Sequence, residues 1–158
     1  MQKVDKKQKY RIGVISDTHH LLRPEAQAAL KGVDYIIHAG DIGTPEILAS
    51  LQKIARVVPV RGNMDKGIWA KNIPWTEAFK IDEISIFLLH NLGELDLEPD
   101  IAGFDVIISG HTHQAKIKRK GKVLFLNPGS AGPARGSLPV TLAILSIKGK
   151  EVEGEIIV

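Results

Sequence analysis

The chain contains no cysteine. That excludes disulfides, thiolate nucleophiles, and zinc or cluster sites built on sulfur. Aromatic residues make up only 5% of the 158 residues, and none alternates with the basic ones, so a base-stacking platform for single-stranded nucleic acid is missing. No stretch reaches the ~18 consecutive apolar residues of a membrane-spanning helix, and no N-x-[ST] glycosylation acceptor occurs. The lysine-rich start, MQKVDKKQKY, leads into a strand-length apolar run rather than a signal-peptide core. There is no G-x-S-x-G elbow and no G-x-G-x-x-G fingerprint. GNMDKG at 62–67 has two glycines of a phosphate loop but not its Lys-Ser/Thr. A cytoplasmic protein with no membrane association is the expectation these absences leave.

The chain is 44% hydrophobic and 25% charged, a globular composition. Its length fits one domain with a proper core and is short for two. We expect a flexible basic tail over 1–9 and one domain over 10–158. Net charge is +3, from 21 basic and 18 acidic residues, too mild to argue for nucleic acid by itself. The basic run KIKRKGK at 116–122 reads as a hairpin with Gly121 at the bend and its charges facing water.

The first half alternates strand and helix. RIGVIS (11–16), VDYIIH (33–38) and VVPV (57–60) read as short buried strands. PEAQAALKG (24–32) has Pro at a helix start and Gly at its stop. TPEILASLQKI (44–54) has a Thr-Pro-Glu opening and apolar residues at helical spacing. This alternation predicts an α/β domain with a parallel sheet. The rest is strand-rich, at 76–81, 84–90, 104–110, 114–120, 122–127, 140–147 and 151–158, with one short helix near 97–102. A second sheet rich in antiparallel pairs, packed face to face on the first with helices outside, is the expected architecture.

The apolar strands end repeatedly in metal-ligand chemistry. GVIS runs into Asp17-Thr18-His19, YIIHAG into Asp41, VVPVRG into Asn63, ISIFLL into His90, and DVIISG into His111-Thr112-His113. Ligands of α/β sheets bind beyond the carboxyl ends of the strands. The i, i+2 spacing of Asp17/His19 and of His111/His113 places both members of each pair on one side of an extended chain. Gly40, Gly62 and Gly110 each precede a candidate ligand and allow close backbone approach. Two carboxylates, one amide and four imidazoles, without sulfur, suit Mn²⁺, Fe²⁺, Ni²⁺ or Zn²⁺. Seven ligands exceed what one catalytic ion with an open position takes, and they match two ions sharing a carboxylate. Two divalent ions, two aspartates and a bridging hydroxide leave roughly +1 to attract a phosphate. The ions also acidify the bridging water, so no side-chain base is required.

D-x-H, G-D, G-N-x-D, a lone His after a strand, and G-H-x-H, in that order over positions 17–113, resemble the calcineurin-like metallophosphoesterase superfamily. The small size and the closing NPGSAGPAR resemble its compact stand-alone branch, the YfcE/MJ0936-type phosphodiesterases. The resemblance implies a four-layer α/β/β/α sandwich of two mixed sheets. It also implies a dinuclear phosphodiesterase attacking small-molecule phosphodiesters with a metal-bridging hydroxide, with Mn²⁺ as the first expectation for the metal. One ion would take Asp17, His19, Asp41 and His113, the other Asp41, Asn63, His90 and His111. Asp41, Asn63 and His90 are the residues expected to carry the reaction, and Asn91, Ser130 and Arg135 to contact substrate.

Two departures stand out. Met64 occupies the position where many members have a proton-donating His, so a slower reaction favouring good leaving groups is implied. Asn91 stands where a Gly commonly follows the fourth-motif His. Asp65 reads equally as the cap of a following helix or as a catalytic residue, His38 as a structural residue and His20 as a rim residue. The resemblance leaves two rivals, a non-catalytic interaction scaffold like the retromer subunit of this branch, and a nuclease. Relatives of this size often pair, so a homo-oligomer is a further expectation.

Overall fold

A computed structural model describes residues 8–158; most of the expected basic tail, residues 1–7, lies outside the described residues. The first strand, β1 (Tyr10–Ile15), is followed by α1 (Pro24–Ala29), β2 (Tyr35–His38), α2 (Pro45–Gln52) and β3 (Arg56–Pro59). Both helices open on a proline at the first turn, where the missing N–H costs nothing. β1, β2 and β3 pair in parallel, as the alternation predicts.

The remaining strands are β4 (Thr76–Ile81), β5 (Ile84–Leu89), β6 (Val106–Ile108), β7 (Lys116–Lys120), β8 (Val123–Asn127), β9 (Leu142–Lys148) and β10 (Glu151–Ile157). They divide between two five-stranded sheets, ordered β10-β9-β1-β2-β3 and β4-β5-β6-β8-β7. Both sheets are mixed. The second has antiparallel pairs only at its margins, since β6 runs parallel to both β5 and β8. The last two strands do not extend that second sheet, as the sequence led us to expect. β9 pairs with β1 and β10 with β9, which gives β1 a partner on each side and buries Ile12, Val14 and Ile15 completely.

The facing sides of the sheets share one core, with Val14, Ile37 and Leu145 from the first sheet against Ile86, Ile108 and Leu126 from the second. Each fully buried side chain of this kind contributes roughly 1.5–3 kcal/mol of transfer free energy. α1 and α2 cover the outer face of the first sheet through Leu30, Ile47 and Leu51. The outer face of the second sheet is more thinly covered. Leu95 and Phe104, which flank the short α3 (Pro99–Ala102), pack on Phe87, Ile107 and Phe125. The order is therefore α/β/β/α, with a sparse fourth layer. Among the described residues no helix is long and apolar enough to cross a membrane.

The apolar runs end sooner than their composition implies. The 104–110 segment is a strand only over Val106–Ile108, because Ser109 and Gly110 already belong to the loop that touches the Asp17 loop of the first sheet through His111 N–H. The corresponding loops after β1, β2, β3 and β5 turn toward the same edge.

Candidate metal centre

The loops at that edge are stitched together by backbone hydrogen bonds. Asp17 N–H donates to Gly40 O at 3.0 Å, His19 N–H to Asp41 O at 3.0 Å, and Gly110 N–H to His90 O at 2.9 Å. These bonds tie the ends of β1 to β2 and of β5 to β6. They also require glycine where the chains meet. A Cβ on Gly110 would clash with Ser16 Oγ and lie 2.8 Å from Asp17 Oδ2, and one on Gly62 would collide with Asp41.

The structure corrects how the ligand pairs are presented. Asp17 (φ 55°), His19 (43°), Asp41 (56°), His111 (72°) and His113 (64°) are all left-handed, not extended as their spacing suggested. For residues with a Cβ this conformation costs of order 1 kcal/mol or more each, and Asp and His accept it more readily than most. The consequence is positional. Asp17 and His19 end in one cluster, while His111 and His113 separate into different ones.

Ligand atoms of Asp17, His19 and His113 lie within 4.8 Å of one another, and so do those of Asp41, His90 and His111. The imidazoles pair accordingly: His19 stacks on His113 with centroids 5.4 Å apart, and His90 meets His111 edge-on at 5.1 Å. Asp41 lies between the clusters, its Oδ2 3.1 Å from His90 Nε2 and 3.6 Å from His19 Nε2. Asn63 is exposed and lines a cleft of about 160 Å³ together with His90, His111, Asn91, Arg61 and Trp75.

The surroundings orient these groups. His90 Nδ1 is 2.7 Å from Ala39 O; a carbonyl only accepts, so Nδ1 carries the hydrogen and Nε2 faces the site, the usual preparation of a metal-ligating imidazole. Asp17 Oδ2 accepts from Ser16 Oγ at 2.6 Å and from His111 N–H at 3.1 Å, which leaves Oδ1 toward the cluster. Asp17 Oδ1, His19 Nε2 and His90 Nε2 are buried without a hydrogen-bond partner. Buried polar atoms of this kind are costly unless something else satisfies them, and this donor set fits divalent cations.

Electrostatics agree with tight coupling. Burial opposes the charge of Asp41, but the His90 imidazole 3.1 Å away, a hydrogen bond from the Met64 N–H and the nearby His19 hold its carboxyl below the usual range. Burial likewise disfavours a charged His90, yet Asp41 outweighs it and raises the pKa. For His113 desolvation wins over Asp17, helped by Arg135 and His19, and the pKa falls. Arg135 is exposed and near enough to His113 to act on it.

Other expectations land differently. Asp65 caps no helix. It is 1% exposed, its Oδ1 accepts from Ile42 N–H at 2.9 Å and Gly43 N–H at 3.0 Å, and its Oδ2 from Gly62 N–H at 2.8 Å. It thus clamps the Asp41 loop to the Asn63 loop. Ser130 is 3% exposed and its hydroxyl donates to Asp17 O at 3.1 Å, so its donor supports the Asp17 loop. Asn91 Oδ1 accepts from Gly93 N–H at 3.0 Å, capping a 3-10 turn beside the cleft. His38 is fully buried between Thr18 and Gly40, as a structural histidine should be, and His20 is exposed at the edge of the Asp17 loop. Met64 is 57% exposed. Sequence reasoning missed Arg61 and Trp75, whose guanidinium and indole stack at 4.4 Å beside Asn63. A lone Arg before Gly-Asn carries no signal of its own.

Fold and clusters together define a metallophosphoesterase, and residues 10–150 match the calcineurin-like phosphoesterase superfamily domain. The chain belongs to that family. It is 39% identical over 92% of its length to a probable metallophosphoesterase of Methanothermobacter thermautotrophicus, covering 91% of that protein. It is 29% identical to phosphodiesterase MJ0936 of Methanocaldococcus jannaschii, with 89% of this chain and 95% of that one aligned. Among solved structures, vacuolar protein sorting 29 from Cryptosporidium parvum superposes with a TM-score of 0.79 at 20% identity, over 96% of this chain and 98% of that one. At that identity the likeness concerns the fold alone.

Proposed function

We propose that this protein is a phosphodiesterase that works with two divalent cations, Mn²⁺ foremost and Ni²⁺, Fe²⁺ or Zn²⁺ as alternatives. The observation that carries the reading is the pair of three-residue ligand clusters side by side with the Asp41 carboxylate between them. Asp17, His19, Asp41 and His113 would hold one ion, and Asp41, Asn63, His90 and His111 the other. When bound, such a pair supplies positive charge for the phosphate oxygens and a lowered pKa for the water between them.

The chain's own side chains then position and neutralise. Arg61, in the cleft with Asn63 and His90, and Arg135, beside His113, offer guanidinium groups from two sides to phosphate oxygens, whose geometry they match. Asn91 borders the same cleft. Met64 presents a thioether that donates no proton, so diesters with stable leaving groups are the better substrates.

The test is hydrolysis of bis-p-nitrophenyl phosphate and p-nitrophenyl phosphate by chelator-stripped protein, with and without added Mn²⁺. Metal-dependent cleavage that favours the diester is expected. Restored metal binding without turnover of either compound would overturn the reading and leave an interaction scaffold of the same fold.

A further inference from the structure

The basic run at 116–122 forms the exposed hairpin the sequence predicts, with Gly121 at the bend, and its lysines have a second feature in common. β7 is the margin of the second sheet, and Lys118 is the register partner of Phe125 on β8. Alternation along the strand puts Lys116, Lys118 and Lys120 on the outer face with Phe125, while Ile117 turns to the core between the sheets. The three lysines line a groove of about 300 Å³ that starts at Asn91 and Thr112, each adjacent in sequence to a candidate ligand histidine. Gln114 continues the polar wall, Leu92 and Phe125 form an apolar part, and among the described residues no Asp or Glu lines the groove.

Lysines on a marginal strand can serve only to discourage pairing with other chains. That role does not require one sign of charge around a concavity. Successive outer-face residues of a strand are roughly 6.6 Å apart, within a Debye length of about 8 Å. Three like charges at that spacing repel one another, and an anion between them relieves the repulsion. The groove volume is at the lower end of small-ligand sites, which span roughly 300–1,000 Å³.

We propose that this groove receives a second phosphate, carried on the arm of the diester that does not leave. The substrate class is then a nucleotide-type phosphodiester with at least one phosphate beyond the scissile one. The inference rests on the phosphodiesterase reading above and deepens it.

Three chromogenic diesters with the same leaving group test it: bis-p-nitrophenyl phosphate, the p-nitrophenyl ester of thymidine 5′-phosphate, and that ester carrying a 3′-phosphate. The 3′-phosphate is expected to raise kcat/KM roughly 10- to 100-fold, with the gain shrinking in high salt. Combined Lys116→Gln, Lys118→Gln and Lys120→Gln substitution should abolish that gain and leave bis-p-nitrophenyl phosphate turnover unchanged. The corresponding triple Arg variant should retain it, which separates charge from folding. Extending the 3′ arm by further thymidylates distinguishes two sources of this chemistry: a gain confined to the first added phosphate assigns a free nucleotide, and one growing with each phosphate assigns a nucleic-acid end. Equal kcat/KM with and without the 3′-phosphate, or a gain that survives the Gln variant, would overturn the groove assignment while leaving the phosphodiesterase reading intact. If even bis-p-nitrophenyl phosphate is not hydrolysed, that reading fails instead. Calorimetric binding of thymidine 3′,5′-bisphosphate against thymidine 5′-monophosphate, to wild type and the Gln variant, then decides the groove: lysine-dependent preference for the bisphosphate supports it, and no preference overturns it.

Discussion

The Asp65 carboxylate accepts the Gly62 N–H at 2.8 Å within its own loop, and its other oxygen reaches two N–H groups just after Asp41. Asp65 touches no ligand cluster, yet both loops it joins carry a proposed ligand. In Asp65→Asn one oxygen becomes an NH₂ that cannot accept. Either the Gly62 bond or the pair from Ile42 and Gly43 is then lost, and a buried N–H stays unsatisfied. The expected cost is about 1–3 kcal/mol of stability and roughly 10- to 100-fold in metal affinity. Denaturant titration and metal calorimetry measure these, while turnover should recover at saturating metal, because Asp65 positions the site and does not act on substrate.

Asp41 is different in kind, since it lies between the two clusters. Asp41→Asn keeps the shape and removes the charge. Metal affinity should fall on the order of 100-fold or more and diester hydrolysis should drop to background. An NMR titration of chelator-stripped protein adds a second reading. With Asp41 neutralised, burial is opposed only by the hydrogen bond to Ala39 O and by Asp17, and the His90 pKa should fall from its raised wild-type position. Full activity in this variant would sink the bridging assignment.

Much of this was legible in the sequence. Strand runs closing on Asp17, Asp41, Asn63, His90 and His111 mark the edge where the loops meet, because a buried strand has no other reason to deliver polar residues there. The paired clusters could be anticipated only through the family resemblance. The left-handed backbone at five of the seven proposed ligands, Asp17, His19, Asp41, His111 and His113, could not be seen at all, since Gly is the usual sign of positive φ and Asp and His hide it. The clamping role of Asp65 was hidden because an acidic residue before a helical turn resembles a cap, and only the fold brings Ile42 and Gly43 to it. The placement of β9 was hidden for a similar reason: its partners run from Tyr10↔Ile147 to Val14↔Ala143, too far apart in the chain to leave a local pattern, and β10 follows it through a hairpin.

His20 shows what that backbone costs where no ligand is at stake. It is exposed with φ 73° and lies outside both clusters. His20→Gly removes the left-handed penalty but adds unfolded-state freedom. The balance of these terms is a gain of about 0.5–1 kcal/mol, or roughly 1–4 °C in Tm for a chain of this size. Calorimetry of the two proteins checks it, with metal affinity expected to be unchanged. A lower Tm would mean that the imidazole makes contacts that outweigh its backbone strain.

His38 sets a pH dependence whose sign can be worked out. Burial first, and then the neighbouring His90 and His19 against the opposing pull of Asp41, lowers its pKa from 6.5 to about 3. It is therefore neutral in the folded protein. Gly40 N–H donates to Nδ1, so Nε2 carries the hydrogen and donates to Thr18 Oγ1, which donates in turn to Ile42 O. Because the folded pKa lies below the unfolded one, the unfolded chain binds the extra proton. The stabilisation is complete above pH ~6.5 and is lost progressively as pH falls toward 3. At about 1.4 kcal/mol per pH unit, this one residue should cost roughly 2 kcal/mol between pH 7 and pH 5. His38→Gln supplies an amide that does not titrate. Urea unfolding of chelator-stripped wild type and variant at both pH values should show a smaller loss for the variant by about that amount. Equal losses in the two proteins would mean that His38 has the same pKa in the folded and unfolded chain, and that burial does not hold it neutral.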